Sequence, residues 1–147
     1  MRLDFSLEIR CKRIVMGKAR GKILLLNKPL NFLGMVNTNT GEITNIDDGT
    51  RIYHLKNTIL VFPNSIGSSV GAYTIFSLRS NNVNPRGMIC TNKVDITTAS
   101  GCAISNIPLA FINNENYKRF IENTRISFDS NEIEILLDTE REIISID

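Results

Sequence analysis

The segment from Thr58 to Ser80 constrains the fold most, because it joins a buried strand to a helix through a turn of small residues. Thr58–Phe62 reads TILVF, β-branched and apolar, which predicts a central strand that ends at Pro63. From Ser68 to Ser80 the apolar residues cover much of a helix circumference. That distribution predicts a helix packed between layers. A buried strand followed by a packed helix is typical of α/β proteins.

The period-two alternation of strands, the helical spacing of apolar residues and the turn-forming residues predict the remaining elements. The predicted strands are Phe5 to Cys11, Lys22 to Asn27, Met88 to Cys90 and Pro108 to Ile112. Asp95 to Ser105 is predicted to be a helix or turn of small residues, and Asn114 to Ile121 a helix with Tyr117 and Phe120 facing inward. Turns are predicted at Asn37–Gly41, Asp47–Gly49 and Asp129–Asn131, the last closing a hairpin over Arg125 to Leu137. This order predicts an α/β domain in which a β layer packs against a smaller α/β layer.

The composition indicates an ordinary globular chain. Its 147 residues predict one domain (1–147), with the tail from about residue 138 expected to be poorly ordered unless a partner holds it. At 42% hydrophobic and 22% charged, the chain is excluded from the disordered and collagen-like classes. No apolar run approaches the ~20 residues that span a bilayer, and no secretory signal is recognisable at the start. We therefore expect a cytoplasmic protein without a membrane partner.

The metal-ligating residue types are few and scattered. The three cysteines, Cys11, Cys90 and Cys102, are far apart and odd in number, which argues against a disulfide framework. No Cys-x-x-Cys pair occurs, and His54 is the single histidine. Metal sites need several such ligands at motif spacing. We expect this chain to bind no metal by itself.

The net charge of +2 conceals an asymmetry along the chain. Residues 1–28 hold eight Lys and Arg against two acids, whereas from Asp129 onward seven acids face Arg141 alone. Such a distribution is usually a solvated face or a docking surface. A nucleic-acid site would need aromatic residues among the basic ones, and Phe5 is the only aromatic there. Nucleic acid is therefore not an expected partner.

The turn Gly67-Ser68-Ser69 lies where the predicted strand gives way to the predicted helix. Free N–H groups and the helix dipole create positive potential at a helix amino end. A phosphate or carboxylate could bind there, or a serine could have its alkoxide stabilised. Serine is also a favoured N-cap without any chemistry, and the turn alone favours that simpler interpretation. Nothing in the spacing ties His54 to Ser68 as a base, and we expect His54 to be a semi-buried structural residue.

Across most of the chain, glycines, prolines and small residues recur in a particular order. The order is Gly-x-Ala-x-Gly-x-x-Leu (Gly17 to Leu24), Pro-Leu-x-Phe-x-Gly-x-Val (Pro29 to Val36), Thr-Gly-x-Ile (Thr40 to Ile43), a strand ending in Pro63, Gly-Ser-Ser-x-Gly-x-Tyr (Gly67 to Tyr73), Pro85, and Ile107-Pro108. This order, over roughly residues 14–112, resembles the small subunit of the aconitase-X family, most closely its stand-alone archaeal form. The Gly-Ser-Ser-x-Gly-x-Tyr run is its most specific part.

The resemblance implies the swivelling β/β/α fold of the mobile domain of aconitase. It implies a large subunit as partner, which holds a [4Fe–4S] cluster on three cysteines and leaves one iron open for the substrate hydroxyl. The implied substrate is a small phosphorylated hydroxy acid. The implied reaction dehydrates (R)-5-phosphomevalonate to trans-anhydromevalonate 5-phosphate, a step of an archaeal mevalonate route to isoprenoids.

The resemblance also assigns roles within the turn. Ser68 matches the residue that abstracts the proton from the carbon next to the carboxylate, and Gly67 and Ser69 are candidate substrate-binding residues. Relatives commonly have Gly-Arg-Gly before the serine pair. Here Ser65-Ile66-Gly67 replaces it, so the loop loses a basic group. Asn64 and Ser65 are expected to support the loop rather than take part in catalysis.

Three alternatives remain open from the residues. A related subunit could act on another hydroxy acid, such as a hydroxyproline. A non-catalytic module could hold an anion at Gly67–Ser69. A phosphocarrier using His54 is suggested only by the swivelling fold class, and fold does not imply function.

Overall fold

The computed structural model describes residues 7–44, 46, 52–125 and 132–146, and all structural statements refer to these. Their strands are β1 (Leu7–Arg10), β2 (Lys12–Val15), β3 (Lys18–Leu25), β4 (Glu42–Ile43), β5 (Tyr53–His54), β6 (Thr58–Phe62), β7 (Gly87–Cys90), β8 (Leu109–Phe111), β9 (Glu134–Asp138) and β10 (Ile143–Ile146). Their helices are α1 (Phe32–Met35), α2 (Gly71–Ser80), α3 (Ile96–Ser105) and α4 (Asn114–Thr124). In these ranges, no helix is long and apolar enough to cross a bilayer.

Eight strands form one mixed sheet in the order β1-β10-β9-β3-β6-β7-β8-β2. The four central strands β3, β6, β7 and β8 are parallel, and antiparallel strands flank them on both sides. A separate ribbon pairs β4 with β5. Parallel strands place all their carboxyl ends at one edge of the sheet, so the loops after β3, β6 and β7 meet there.

The central strands are buried on both faces, which explains their continuous apolar sequence. Because successive side chains point to opposite faces, Leu60 and Phe62 pack towards α1, α2 and α3, and Ile59 and Val61 pack towards the other face. Phe120 of α4 joins the core on that second face. The swivelling α/β architecture implied by the resemblance is confirmed as a large mixed sheet with helices on both faces.

The predicted elements with strong local patterns are confirmed. β6 has the predicted bounds, and α2, α3, β7, β8 and α4 lie where predicted to within three residues at either end. The turn at Asn37–Gly41 is present, with the Asn37 side chain accepting from the N–H groups of Asn39 and Thr40. Besides β10, the structure adds four short elements that the sequence did not suggest: α1, β2, β4 and β5. Each has only two to four residues, too few to show a period.

The prediction of a poorly ordered tail from about residue 138 is wrong. Residues 143–146 form β10, which lies inside the sheet between β1 and β9. Ile144 is fully buried and Ile146 nearly so. Chain ends are usually poorly ordered, but here the residues of Ile143–Ile146 alternate between buried and half-buried, which fits them to the sheet.

Several other predictions lie outside the described residues. These are Phe5 of the first strand, the turn at Asp47–Gly49, and the hairpin turn at Asp129–Asn131. The described part of that predicted hairpin, β9, pairs with β3 and β10.

Candidate functional site

Three loops converge at the carboxyl edge of the parallel strands. The loop after β3 pairs with the loop after β6, since the N–H of Leu30 donates to the carbonyl of Asn64 (3.1 Å) and the N–H of Ile66 donates to that of Leu30 (3.0 Å). The loop after β7 joins them, because the N–H of Asn92 donates to the carbonyl of Pro63 (3.1 Å). In open α/β sheets this edge is the usual place for a ligand.

Ser65 fastens the β6 loop to the start of α3. Its N–H donates to Asp95 Oδ1 (2.8 Å) and its hydroxyl donates to Asp95 Oδ2. Asp95 is also the N-cap of α3 and accepts from the N–H of Thr98 (3.0 Å). Burial alone would raise the pKa of Asp95, but the hydrogen bonds from Ser65 and Thr98 outweigh it and hold that pKa below the ordinary value. The carboxylate therefore stays charged and keeps the loop in place.

Asn64 completes this support. It is only 4% exposed, its amide donates to the carbonyl of Ser65 (2.9 Å), and its Oδ1 accepts from the amide of Asn92 (3.0 Å). The hydrogen bonds of Asn64 and Ser65 thus serve the loop itself, as expected for supporting residues.

Gly67 turns the chain at a φ of +94°, a conformation that glycine adopts readily and other residues rarely do. A Cβ at this position would lie 2.7 Å from Oδ1 of Asn31. Asn31 is itself held, because it caps α1 by accepting from the N–H of Gly34 (3.0 Å). Glycine is therefore required at 67 both by the backbone and by the close approach of the β3 loop.

Ser68 and Ser69 follow at once and are both exposed. The Ser68 Oγ accepts from the N–H of Val70 (3.1 Å), while its carbonyl accepts from the N–H of Gly71 (3.0 Å). Ser68 thus closes the turn that precedes α2, but the N-cap position of α2 is Val70 and has no side-chain capping hydrogen bond, so the serine N-cap expected from the sequence is not formed. Its oxygen lies in the positive potential of a helix amino end, where a negative charge is stabilised. Among the described residues, the N–H of Val70 is the only hydrogen-bond partner of this oxygen, which leaves the exposed hydroxyl accessible to a ligand.

Gly71 lets three helices meet behind this turn. A Cβ there would lie 3.0 Å from Cγ2 of Thr97 and 3.4 Å from Cβ of Phe32. The start of α2 is therefore packed closely against α1 and against the start of α3. Ser68 is presented from a rigid base rather than from a free loop.

Large apolar side chains are exposed on the segments around the turn. We call this set the apolar rim: Leu33, Ile66, Val70, Tyr73 and Ile96. Tyr73 is 68% exposed and Ile96 is 80% exposed. Several large apolar residues exposed around one site are typical of a surface that a partner covers.

His54 lies apart from this constellation. It belongs to the β4–β5 ribbon, where it pairs opposite Glu42, and it is exposed. The expectation of a semi-buried histidine is therefore wrong, because the two-residue ribbon leaves this side chain outside the core. Within the described residues, no hydrogen bond joins it to Ser68.

The cysteines do not form a metal site in the described part of the chain. No group of three or more His, Cys, Asp or Glu residues is placed there to hold a metal ion. Burial, and next the charges of Glu142 and Asp138, raise the pKa of Cys11 to about 12. Burial also raises the pKa of Cys90 and Cys102. Thiols that remain protonated are poor metal ligands, so the described residues do not fit an iron–sulfur cluster.

Two residues of the site were not singled out from the sequence, Asn31 and Asp95. Both are N-caps, and an Asp or Asn before a helical segment is a recognisable signal for that role. Their second role, in holding the loop after β6, depends on contacts between distant parts of the chain. No local pattern reports those contacts.

Comparison with known proteins agrees with this architecture. The family model described as aconitase X swivel domain matches residues 8–137. The phosphomevalonate dehydratase small subunit of Thermococcus kodakarensis is 36% identical over 134 residues, covering 91% of this chain and all of that protein. The protein of the same name from Methanococcoides burtonii is 38% identical over 128 residues, covering 85% of this chain and 91% of that protein.

A solved structure shares the fold as well. The crystal structure of Thermococcus kodakaraensis aconitase X in its holo form superposes with a TM-score of 0.79 at 29% identity, covering 95% of this chain and 98% of that one. The sheet order, the three converging loops and the family match over 8–137 lead to one conclusion. The chain belongs to the aconitase X swivel-domain family.

Proposed function

We propose that this chain is the small subunit of a cytoplasmic hydro-lyase that dehydrates (R)-5-phosphomevalonate to trans-anhydromevalonate 5-phosphate. The observation that carries the proposal is the exposed Ser68 hydroxyl at the amino end of α2, on a turn supported from behind. The names of the relatives from Thermococcus and Methanococcoides support the choice of substrate.

Ser68 acts as the proton acceptor in this proposal. Serine is a weak base in water, so its alkoxide needs stabilisation before it can take a proton from carbon. The N–H of Val70 lies 3.1 Å from Oγ, and the dipole of the ten-residue helix α2 adds positive potential. Both favour the alkoxide over the neutral hydroxyl.

Gly67 and Ser69 bind substrate next to it. Without a side chain, Gly67 lets a substrate approach the backbone closely. The exposed Ser69 offers a hydroxyl to the polar groups of the same substrate.

The remaining machinery lies on a large subunit that covers the apolar rim. This partner supplies the [4Fe–4S] cluster, which acts as a Lewis acid on the leaving hydroxyl when present. Because the rim surrounds the Ser68 turn, docking there would exclude water and strengthen electrostatic interactions around the serine. The site is therefore completed only in the complex.

Reconstitution tests the proposal. The chain purified alone should be colourless and inactive, and co-expression with a large subunit should give a brown complex that dehydrates phosphomevalonate. Ser68→Ala should assemble into that complex without turnover, whereas Ser80→Ala, at the exposed far end of the same helix, should keep activity.

Other outcomes would redirect the proposal. Turnover in the Ser68→Ala complex would remove the serine as base. Activity on a hydroxyproline but not on phosphomevalonate would show that the enzyme acts on a different hydroxy acid. A phosphate-dependent rise in Tm of a chain that assembles with no partner would favour an anion-binding module.

A further inference from the structure

Helices α2 and α3 lie side by side on one face of the sheet, and each leaves its outer side exposed. Glycines allow their close approach: a Cβ at Gly71 would lie 3.0 Å from Cγ2 of Thr97, and one at Gly101 would lie 2.6 Å from Cδ1 of Ile75. Because the contact positions advance together along both helices, the helices run in the same direction, away from the edge that carries Ser68. Their exposed sides therefore form one surface.

The exposed side of this helix pair carries apolar and small polar residues. We call it the outer helix face: Val70, Tyr73 and Phe76 leading into and along α2, with Ile96, Ser100 and Ile104 along α3. Val70, Tyr73 and Ile96 also belong to the apolar rim. Phe76 is 46% exposed and lies one turn beyond Tyr73, and Ile104 is 52% exposed and lies two turns beyond Ile96. The apolar surface thus continues away from the serine along both helices.

Charge distinguishes this face from the helix on the opposite side of the sheet. The ten residues of α3 include no charged side chain, and the ten of α2 include only Arg79, in the last turn. The eleven residues of α4 include four charged and exposed side chains: Glu115, Lys118, Arg119 and Glu122. A helix that faces water normally carries such residues on its outer side. Single exposed apolar residues are common, but a continuous apolar face over two adjacent helices is typical of a covered surface.

We propose that the outer helix face, as far as Phe76 and Ile104, is covered by an apolar, uncharged surface of the large subunit. The inference rests on the proposed function, from which it takes the partner. The outer helix face is continuous with the apolar rim, which the same partner covers when it completes the Ser68 site. Charged partner residues would be desolvated here without a counter-charge, so complementarity requires an apolar partner surface.

Charge introduced at the far end of the outer helix face tests the inference. The variant Phe76→Glu with Ile104→Glu changes two exposed residues outside the apolar rim, so the free chain should stay folded with a Tm close to that of the wild type. Its Kd for the large subunit, measured by calorimetric titration, should rise at least about a hundredfold, because the interface would bury two carboxylates without partners. The control Asn114→Glu with Asn123→Glu adds the same charge at exposed positions of α4. It should change Kd by less than about threefold, as for surface charges outside an interface.

A measurement on the unaltered complex complements the variants. Hydroxyl-radical footprinting reports how far a side chain is exposed to water. Phe76 should lose most of its oxidation when the chain is assembled with the large subunit, because the partner covers it. The half-buried Tyr117 of α4, on the other face of the sheet, should be oxidised equally in the free chain and in the complex.

Three results would overturn the inference. The first is a Kd that the Phe76→Glu with Ile104→Glu variant leaves unchanged, or that both double variants raise equally. The second is unchanged oxidation of Phe76 in the assembled complex. The third is a dimer of the free chain, seen by sedimentation velocity, that the same variant dissociates, which would assign the face to a second copy. A wild-type pair that assembles without dehydrating phosphomevalonate would contradict the proposed reaction alone, since the binding comparison does not depend on turnover.

Discussion

Ser65 and Ser68 lie three residues apart in the loop after β6, yet the structure uses them in opposite ways. Ser65 is 5% exposed and donates both its N–H and its hydroxyl to Asp95. Ser68 is exposed, and its oxygen accepts one N–H from its own turn. The comparison teaches that residue type does not assign the role in this loop. Burial and the hydrogen-bond partner assign it, since Ser65 holds the loop while Ser68 is exposed, as its proposed role requires.

The largest expected effect separates the two serines by activity. Ser68→Ala should lower kcat of the assembled enzyme by about 10²–10⁴-fold, the usual contribution of a positioned base. Its free energy of unfolding should fall by about 0.5–1.5 kcal/mol, as on losing one hydrogen bond. Ser65→Ala should do the reverse: compared with Ser68→Ala, it should lower kcat less and lower the free energy of unfolding more. Steady-state kinetics and urea unfolding of both variants test this, and equal losses of activity would contradict the division of roles.

Removing Asp95, which anchors both Ser65 and the start of α3, should give the largest loss of stability. Asp95→Ala deletes the cap of α3 and the acceptor of Ser65 together. We expect unfolding to become easier by about 2–4 kcal/mol, combining a cap with charge-assisted hydrogen bonds. Urea denaturation measures the change. Asp95→Asn is the matched control, because it can still accept at the cap, and it should lose about half as much.

A smaller effect is expected at the turn between the two serines. Gly67→Ala places a methyl group at a φ of +94° and against Asn31, which should cost about 1–3 kcal/mol. Moving the Asn31 side chain would also shift Ser68, so kcat should fall even where the protein is folded. Gly34→Ala is a useful comparison, since the added Cβ would lie 3.0 Å from the same side chain without a positive φ. A Gly67→Ala enzyme with unchanged stability and kcat would contradict the rigid-turn description.

The smallest expected effect is the response of the anchor to acid. The pKa of Asp95 is lower in the folded protein than its ordinary value of 3.8. Its contribution to stability is therefore present above about pH 3.8 and is lost as the pH falls through the lower, folded-state pKa. The difference in urea midpoint between the wild type and Asp95→Asn should shrink below about pH 4. A difference that grows as the pH falls would contradict a pKa of Asp95 that is lowered in the folded protein.

The predictable parts of the fold are those with a local cause. Thr58–Phe62 is a strand because β-branched apolar residues run up to a proline, and α3 begins after Asp95 because aspartate caps a helix. The short helix α1 and the β4–β5 ribbon were missed because each element spans only about one period of its pattern, too little for the period to be recognised. The strand β10 was missed because its pairing with β1 joins the two ends of the described chain.

The candidate site likewise has parts that neighbouring residues predict and parts that depend on contacts between distant residues. The sequence by itself determined that a glycine–serine turn joins a buried strand to a helix, because strand, turn and helix formation depend on neighbouring residues. Only the tertiary structure decided which serine is anchored and which is exposed. Ser65 donates to Asp95, thirty residues away in the sequence, and Gly67 lies against Asn31 in the loop after β3. These contacts exist because parallel strands gather their carboxyl ends at one edge, an arrangement that packing of the whole sheet imposes.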